Sequence, residues 1–185
     1  AGVSTSSDST QTTFSMYVSA NYAKENQIKT TTVDKAKVSA AVAAKTNADA
    51  IVADAASKSS AYEKLKFFND KICELVDYNN DALASKPPYG DPWQMIHVFD
   101  NDPSTKVVCE GYSKAFQYLC DRAFSNGAVQ CYTVTGYMAA TGNASGQGPH
   151  MWNVVTIDNV NYLVDVTNCD GKGADGATSY DLFLA

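Results

Sequence analysis

Three residues of this chain have the types and the spacing for thiol chemistry. The first is Cys109, between a short β-branched lead-in, Val107-Val108, and a run with helical periodicity. From Tyr112 the apolar positions recur as Tyr112, Ala115, Phe116, Leu119 and Ala123, one face of an α-helix. Cys109 is therefore expected at or within the first turn, where unpaired N–H groups and the positive end of the helix dipole favour an anion. A thiol in that setting ionises more easily, and the thiolate is the nucleophile. The competing reading is a buried structural cysteine, since free cysteines are among the most buried residue types.

Such a nucleophile needs a base to take its proton and a third group to hold that base in the right tautomer. The chain has two histidines to choose from. His97 is flanked by Met95, Ile96, Val98 and Phe99, and no carboxylate partner is expected for it. His150 opens a segment to Ile157 that reads as a strand, followed by a tight turn at Asp158-Asn159 and a second strand over Tyr162 to Val166. That turn pairs Ile157 with Val160, so that His150 faces Thr167 and Trp152 faces Asp165. His150 and Asp165 then share one face as diagonal neighbours, about 7–8 Å apart at the backbone. A one-residue slip would send them to opposite faces. Asp165 lies among Leu163, Val164 and Val166, where a carboxylate is costly unless paired. The competing reading of His150 is an ordinary surface or structural histidine at a strand end.

The elements that must position these residues can be read in order. Residues 1–13 read as a disordered Ser/Thr-rich linker. Residues 14–59 form an N-terminal extension. In it Phe14, Met16 and Val18 alternate in an extended segment, and an Ala-rich helix starts near the capping pattern Thr31-Thr32-Val33-Asp34. The apolar face of that helix is thin, so a peripheral position is expected. Residues 60–185 read as the catalytic domain. It opens with the capping box Ser60-Ala61-Tyr62-Glu63 and an amphipathic helix carrying Tyr62, Leu65, Phe68, Ile72 and Leu75, which ends near Tyr78-Asn79-Asn80. A Pro-rich loop over residues 86–92 leads to Trp93 and Gln94, and the Cys109 helix runs to about Phe124, where Ser125-Asn126-Gly127 stops it. Strands follow at Val129 to Tyr137 and in the His150 hairpin, with another short strand over Tyr180 to Leu184. Helices first and an antiparallel sheet afterwards make an α+β arrangement.

Composition narrows the classes of function. The 185 residues carry 14 basic and 20 acidic side chains for a net charge of −6, and Arg122 is the single arginine, so nucleic-acid binding is excluded as an expectation. No stretch has the roughly 20 apolar residues of a membrane span. Ser and Thr supply eight of residues 1–13 and only 18% of the chain is charged. Together with a start at Ala1-Gly2-Val3, this suits a mature secreted protein whose signal has been removed. Five cysteines are an odd number and contain no CxxC pair, so neither a zinc ribbon nor a full disulfide framework is expected. Cys73 and Cys120, both on expected helices, are the pair that could bridge, while Cys131 and Cys169 are expected at opposite ends of the sheet. Asn168-Cys169-Asp170-Gly171-Lys172-Gly173 brushes against a calcium-loop pattern, but Lys172 would stand at a ligand position. No metal or cofactor is expected.

Three segments together carry a family resemblance. Val108-Cys109-Glu110-Gly111-Tyr112-Ser113-Lys114-Ala115-Phe116, Gly148-Pro149-His150-Met151-Trp152-Asn153-Val154-Val155 and Tyr162-Leu163-Val164-Asp165-Val166-Thr167 resemble, in order, the motifs of the transglutaminase-like superfamily in its bacterial secreted branch. The resemblance covers residues 60–185. It implies a papain-like α+β fold, in which N-terminal helices and a nucleophile-bearing helix pack on an antiparallel sheet. Carried over, Cys109 is the nucleophile, His150 the general acid/base and Asp165 the orienting carboxylate. Gln94 or Trp93 would be the side-chain oxyanion donor, beside the Cys109 N–H. Trp152 and Gly148 are candidates for the substrate site, and the glycine-rich loop over residues 142–148 for a gate. Met151 and Asn168-Cys169 depart from the family pattern, which bears on substrate fit more than on chemistry.

The activity so implied is a thiol-dependent acyl-enzyme reaction on peptide or glutamine-type amide bonds, as peptidase, amidase or transglutaminase. Its partners would be protein or peptide substrates, including cell-wall or cell-surface material, in an extracellular or cell-surface setting. The alternative is a non-enzymatic binding or adhesion module of the same fold.

Overall fold

Capping side chains set where the helices that begin at Lys35, Ala61, Pro92 and Val166 start, while the helix that begins at Cys109 starts without one. The computed structural model describes residues 2–7, 12–25, 27, 29–85, 88–139, 147–171 and 180–185, and the chain divides into two units, Ala1–Ala43 and Ala44–Ala185. In the first unit, β1 (Gly2–Ser7) and β2 (Thr12–Tyr17) form an antiparallel hairpin with Gly2 opposite Tyr17 and Ser7 opposite Thr12. This hairpin corrects the expectation of a disordered linker over residues 1–13. Both segments contain β-branched Thr or Val and lack Pro, so they extend and pair through their backbones. Helix α1 (Lys35–Ala55) follows Asp34, whose Oδ1 accepts the Ala36 N–H at 2.9 Å. The carboxylate at Asp34, rather than Thr31, caps this helix.

Within the second unit Ala44, Ala48, Ile51 and Ala55 of α1 are buried. The thin apolar face is therefore packed rather than peripheral. Alanine lets a helix backbone approach its neighbour closely, which a count of large side chains misses. Asn47 Nδ2 donates to the Phe99 carbonyl at 2.8 Å, and Arg122 pairs with Asp49. The boundary between units thus falls inside α1 and not at residue 59.

Helix α2 (Ala61–Leu75) begins as expected, with the Ser60 side chain accepting from the Glu63 N–H. The returning Glu63 carboxylate accepts instead from the Ser59 N–H at 2.9 Å. Leu65, Phe68 and Ile72 are fully buried. The helix stops at Leu75, short of Tyr78, because β3 (Asp77–Tyr78) leaves it to join a second segment in parallel. After α3 (Pro92–Val98), that partner is β4 (Lys106–Val107), with Tyr78 opposite Val107.

Helix α4 (Cys109–Ala123) ends with Phe124 as its cap, and three residues further on Gly127 takes a φ of +79°, the left-handed conformation that favours glycine. The sheet that follows is antiparallel in the order β5 (Val129–Ala139), β6 (Gln147–Ile157), β7 (Val160–Val164). Asp158 and Asn159 both have positive φ, 51° and 64°, as a type I′ turn requires. Ile157 faces Val160 and Asn153 faces Val164, the expected register. The second strand nevertheless ends at Val164 rather than Val166. Asp165 caps the short helix α5 (Val166–Cys169), its side chain accepting from the Asn168 N–H, so the pairs expected at Trp152 and His150 do not form. Tyr180 to Leu184 is no strand either, and only Phe183 bridges to Val164.

Helix α4 packs on β5 and β6. Tyr112, Ala115, Phe116 and Leu119 are fully buried, along with Val155 and Val164 of the sheet. All five cysteines are buried and none is in a disulfide, so Cys73 and Cys120 are not bridged. The start of α4 is wedged so tightly that position 111 has no room for a side chain. A Cβ on Gly111 would lie 2.6 Å from Val107 Cβ and 2.8 Å from the Gln94 carbonyl oxygen. Overpacking of that kind costs about 1–3 kcal/mol, against a helix-propensity gain of about 1 kcal/mol. Gly111→Ala is therefore expected to destabilise the protein, read as a lower denaturant midpoint with an unchanged m-value.

Candidate active site

Cys109 is the first residue of α4 and is 4% exposed. Val108 precedes it as a cap residue with no side-chain hydrogen bond, so no hydroxyl or carboxylate consumes the first-turn N–H groups. Gln94 Oε1 accepts the Val108 N–H at 2.9 Å, which fixes the turn into the helix. Two buried hydrogen bonds then join this first stretch of α4 to β6. Ser113 Oγ donates to the Met151 carbonyl at 2.8 Å, and Asn153 Nδ2 donates to the Ser113 carbonyl at 3.0 Å. His150, adjacent to Met151, is thereby brought to Cys109.

His150 Nε2 lies 2.7 Å from Asp165 Oδ2, and the carboxylate is fully buried. With Nε2–H donating to Asp165, Nδ1 is the nitrogen left for the thiol. The same Oδ2 accepts from Asn168 Nδ2 at 2.6 Å, while Oδ1 accepts the Asn168 N–H at 3.2 Å. The pair forms although Asp165 has left the ladder, because the hairpin register points both residues to one side and the cap turn carries the carboxylate toward the ring.

Electrostatics follow from these contacts. Burial resists ionisation of Cys109, but the hydrogen bond and positive charge of His150 outweigh it, with help from the Tyr89 hydroxyl and the Met151 N–H, and hold the thiol below its ordinary range. Burial likewise resists the imidazolium, yet the hydrogen bonds and charges of Asp165 and Cys109 push His150 up to about 9. Both shifts favour the thiolate–imidazolium form of the pair.

The other sequence candidates have distinct surroundings. Trp152 stacks on His150 with ring centroids 6.0 Å apart and planes 21° apart. Gly136 makes room for it: a Cβ there would lie 2.5 Å from the indole edge. Gly148 sits in β6 opposite Met138 with open space beside it. Residues 142–146 of the expected gate lie outside the described residues. Trp93 packs against His97 at 5.8 Å. His97 does have a carboxylate partner, contrary to expectation, since its Nδ1 lies 3.2 Å from Asp100 Oδ2 across the end of α3. Among the described residues no cluster of three metal-ligating side chains occurs, and no helix is long and apolar enough to cross a membrane.

Sequence reasoning missed three neighbours of the thiol. The Tyr89 hydroxyl lies 3.8 Å from Cys109 Sγ. Glu110, 1% exposed, accepts the Gly90 N–H at 2.7 Å and pairs with Lys114. Tyr78 stacks on Tyr112 at 6.3 Å, and burial with the charges of Cys109 and Asp165 raises its phenol. The charge of Glu110 beside an apolar helix face was the one signal available.

The fold is transglutaminase-like. It matches a solved structure described as a crystal structure of a TGase with a TM-score of 0.50 and 19% identity, over 88% of this chain and 39% of that one. In sequence the chain is 30% identical over 149 residues to the kyphoscoliosis peptidase of Homo sapiens and 32% identical over 118 residues to that of Mus musculus. These alignments take in 77% and 61% of this chain but 21% and 16% of the relatives, so it spans about a fifth of their length. No family model matches.

The ion pair makes a prediction for thiol reactivity. Cys109 should alkylate with iodoacetamide in a pH profile that rises below the ordinary thiol range and bends again near pH 9, where His150 loses its proton. An ordinary thiol with a pKa near 8.5 is about 3% ionised at pH 7, so His150→Ala should slow labelling there by up to about thirtyfold. Rates read at the Cys109 peptide by mass spectrometry check this.

Proposed function

We propose that the protein is a thiol-dependent acyl-transfer enzyme acting on peptide or glutamine-type amide bonds. The reading rests on one observation above the others: the buried His150–Asp165 pair at 2.7 Å, set beside a thiol that its imidazole ionises. In this mechanism the Cys109 thiolate attacks the amide carbonyl, and the His150 imidazolium gives its proton to the departing amine. The thioester left on Cys109 is then resolved by water or a primary amine, which His150 deprotonates as it attacks. Asp165 holds the ring in the productive tautomer and offsets its charge. Gln94 acts through Val108 by fixing the turn that presents the nucleophile. Trp152 and Gly148 flank His150 on the side where a substrate chain would lie.

Hydrolysis is the outcome favoured by the word peptidase in the names of both mammalian relatives. An extracellular or cell-surface setting belongs to the same proposal and draws on the Ser/Thr-rich start and low charge content. Incubation with a peptide library, with and without an added primary amine, distinguishes the products by mass. Cleaved peptides in both arms are expected for a peptidase, and amine-adducted glutamines for a transferase. Cys109→Ala should abolish either signal, and products surviving that substitution would remove Cys109 from the chemistry.

A further inference from the structure

Tyr89 is bound to the thiol by more than proximity. Its hydroxyl is 3.8 Å from Cys109 Sγ. The next residue, Gly90, has a φ of +112°, a conformation open to glycine, and its N–H donates to Glu110 Oε1 at 2.7 Å. Glu110 is 1% exposed and neighbours Cys109 in the chain, with Lys114 balancing its charge. On the other side of Gly90, the Asp91 side chain accepts the Trp93 N–H at 3.0 Å as the cap of α3. A buried carboxylate and a helix cap thus fix the two residues that follow Tyr89. Among the described residues nothing in the acyl-transfer mechanism above calls on either group.

We propose that Tyr89 is a catalytic oxyanion donor, its hydroxyl acting with the Cys109 N–H on the oxygen of the carbonyl that Cys109 attacks. This rests on the acyl-transfer reading of the site. When the thiolate lone pair forms the C–S bond, the carbonyl π electrons move onto oxygen. Tyr89 and the first N–H of α4 donate hydrogen bonds to that oxygen and keep their protons. When the C=O bond re-forms, the leaving group departs with its electron pair. A hydroxyl 3.8 Å from the sulfur can turn onto an oxygen borne by the attacked carbon, within the roughly 2.7–3.1 Å that such a donor needs. Burial and the charge of Cys109, with Tyr78 and Glu110 beyond it, raise the Tyr89 phenol, so it stays protonated and can donate. Of the two upstream residues, Trp93 packs its ring against His97, while Gln94 accepts the Val108 N–H through Oε1 and keeps its Nε2 amide as a second side-chain donor on the same side of α4.

Tyr89→Phe removes the donor and keeps the ring. Two reagents of different chemistry read its effect at the Cys109 peptide by mass spectrometry. p-Nitrophenyl acetate transfers its acetyl group through a tetrahedral oxyanion and releases p-nitrophenolate, whereas iodoacetamide alkylates by direct displacement and forms no oxyanion. The expected result is acetylation slowed about ten- to hundredfold, with alkylation changed by no more than about threefold. Equal acetylation rates in wild type and Tyr89→Phe would overturn the assignment and leave the acyl-transfer reading intact. A matching fall in both reactions would also overturn it, and would make Tyr89 a modulator of thiol ionisation. A wild-type protein that alkylates at Cys109 but takes no acetyl group would instead remove the acyl-transfer reading itself.

Discussion

The site depends on a polar joint buried between a helix and a strand. Ser113 gives its hydroxyl proton to the Met151 carbonyl, and Asn153 returns an amide N–H to the Ser113 carbonyl. Both side chains are shielded from solvent, 1% and 0% exposed. Leaving such a group without its partner costs about 1–3 kcal/mol, whereas apolar packing tolerates sliding. Tyr112, Phe116 and Leu119 supply the adhesion between α4 and the sheet, and the Ser113–Asn153 joint supplies the register. Because His150 and Asn153 share one strand, fixing the second against α4 also fixes the first against Cys109.

Around that joint a second set of constraints acts on the first turn of α4 alone. Gln94 holds the Val108 N–H, and Gly111 admits the backbone of α3 and the Val107 side chain at close range. Glu110 reaches back to Gly90. These contacts come from segments that lie far apart in the chain and meet only at the first turn of α4. The turn is thus held from both sides, by α3 and its preceding loop and by β6.

What could be read from the sequence was what local geometry dictates. The Asp158-Asn159 turn allows one hairpin register, and that register brought His150 and Asp165 to the same side before any fold was known. The same logic failed two residues later, where Asp165 found a better use for its carboxylate as a helix cap than as a strand residue. The contacts of Tyr89 with Cys109 and of Glu110 with Gly90 were not legible because their partners are non-local. A tyrosine in a Pro-rich loop carries no mark of the thiol it will touch. Helix α1 was misjudged for a different reason, since alanine contributes to a core by allowing close approach rather than by bulk.

The indole of Trp152 has one more consequence. It covers one side of the imidazole that binds Asp165, and it fits there because residue 136 on the adjacent strand is glycine. Water kept from that side leaves the hydrogen bond in a medium of lower polarity, where it is electrostatically stronger. The local dielectric around His150 is therefore governed by a position that carries no side chain at all. A single methyl group added there would alter the solvent around the His150–Asp165 hydrogen bond without touching either of its partners.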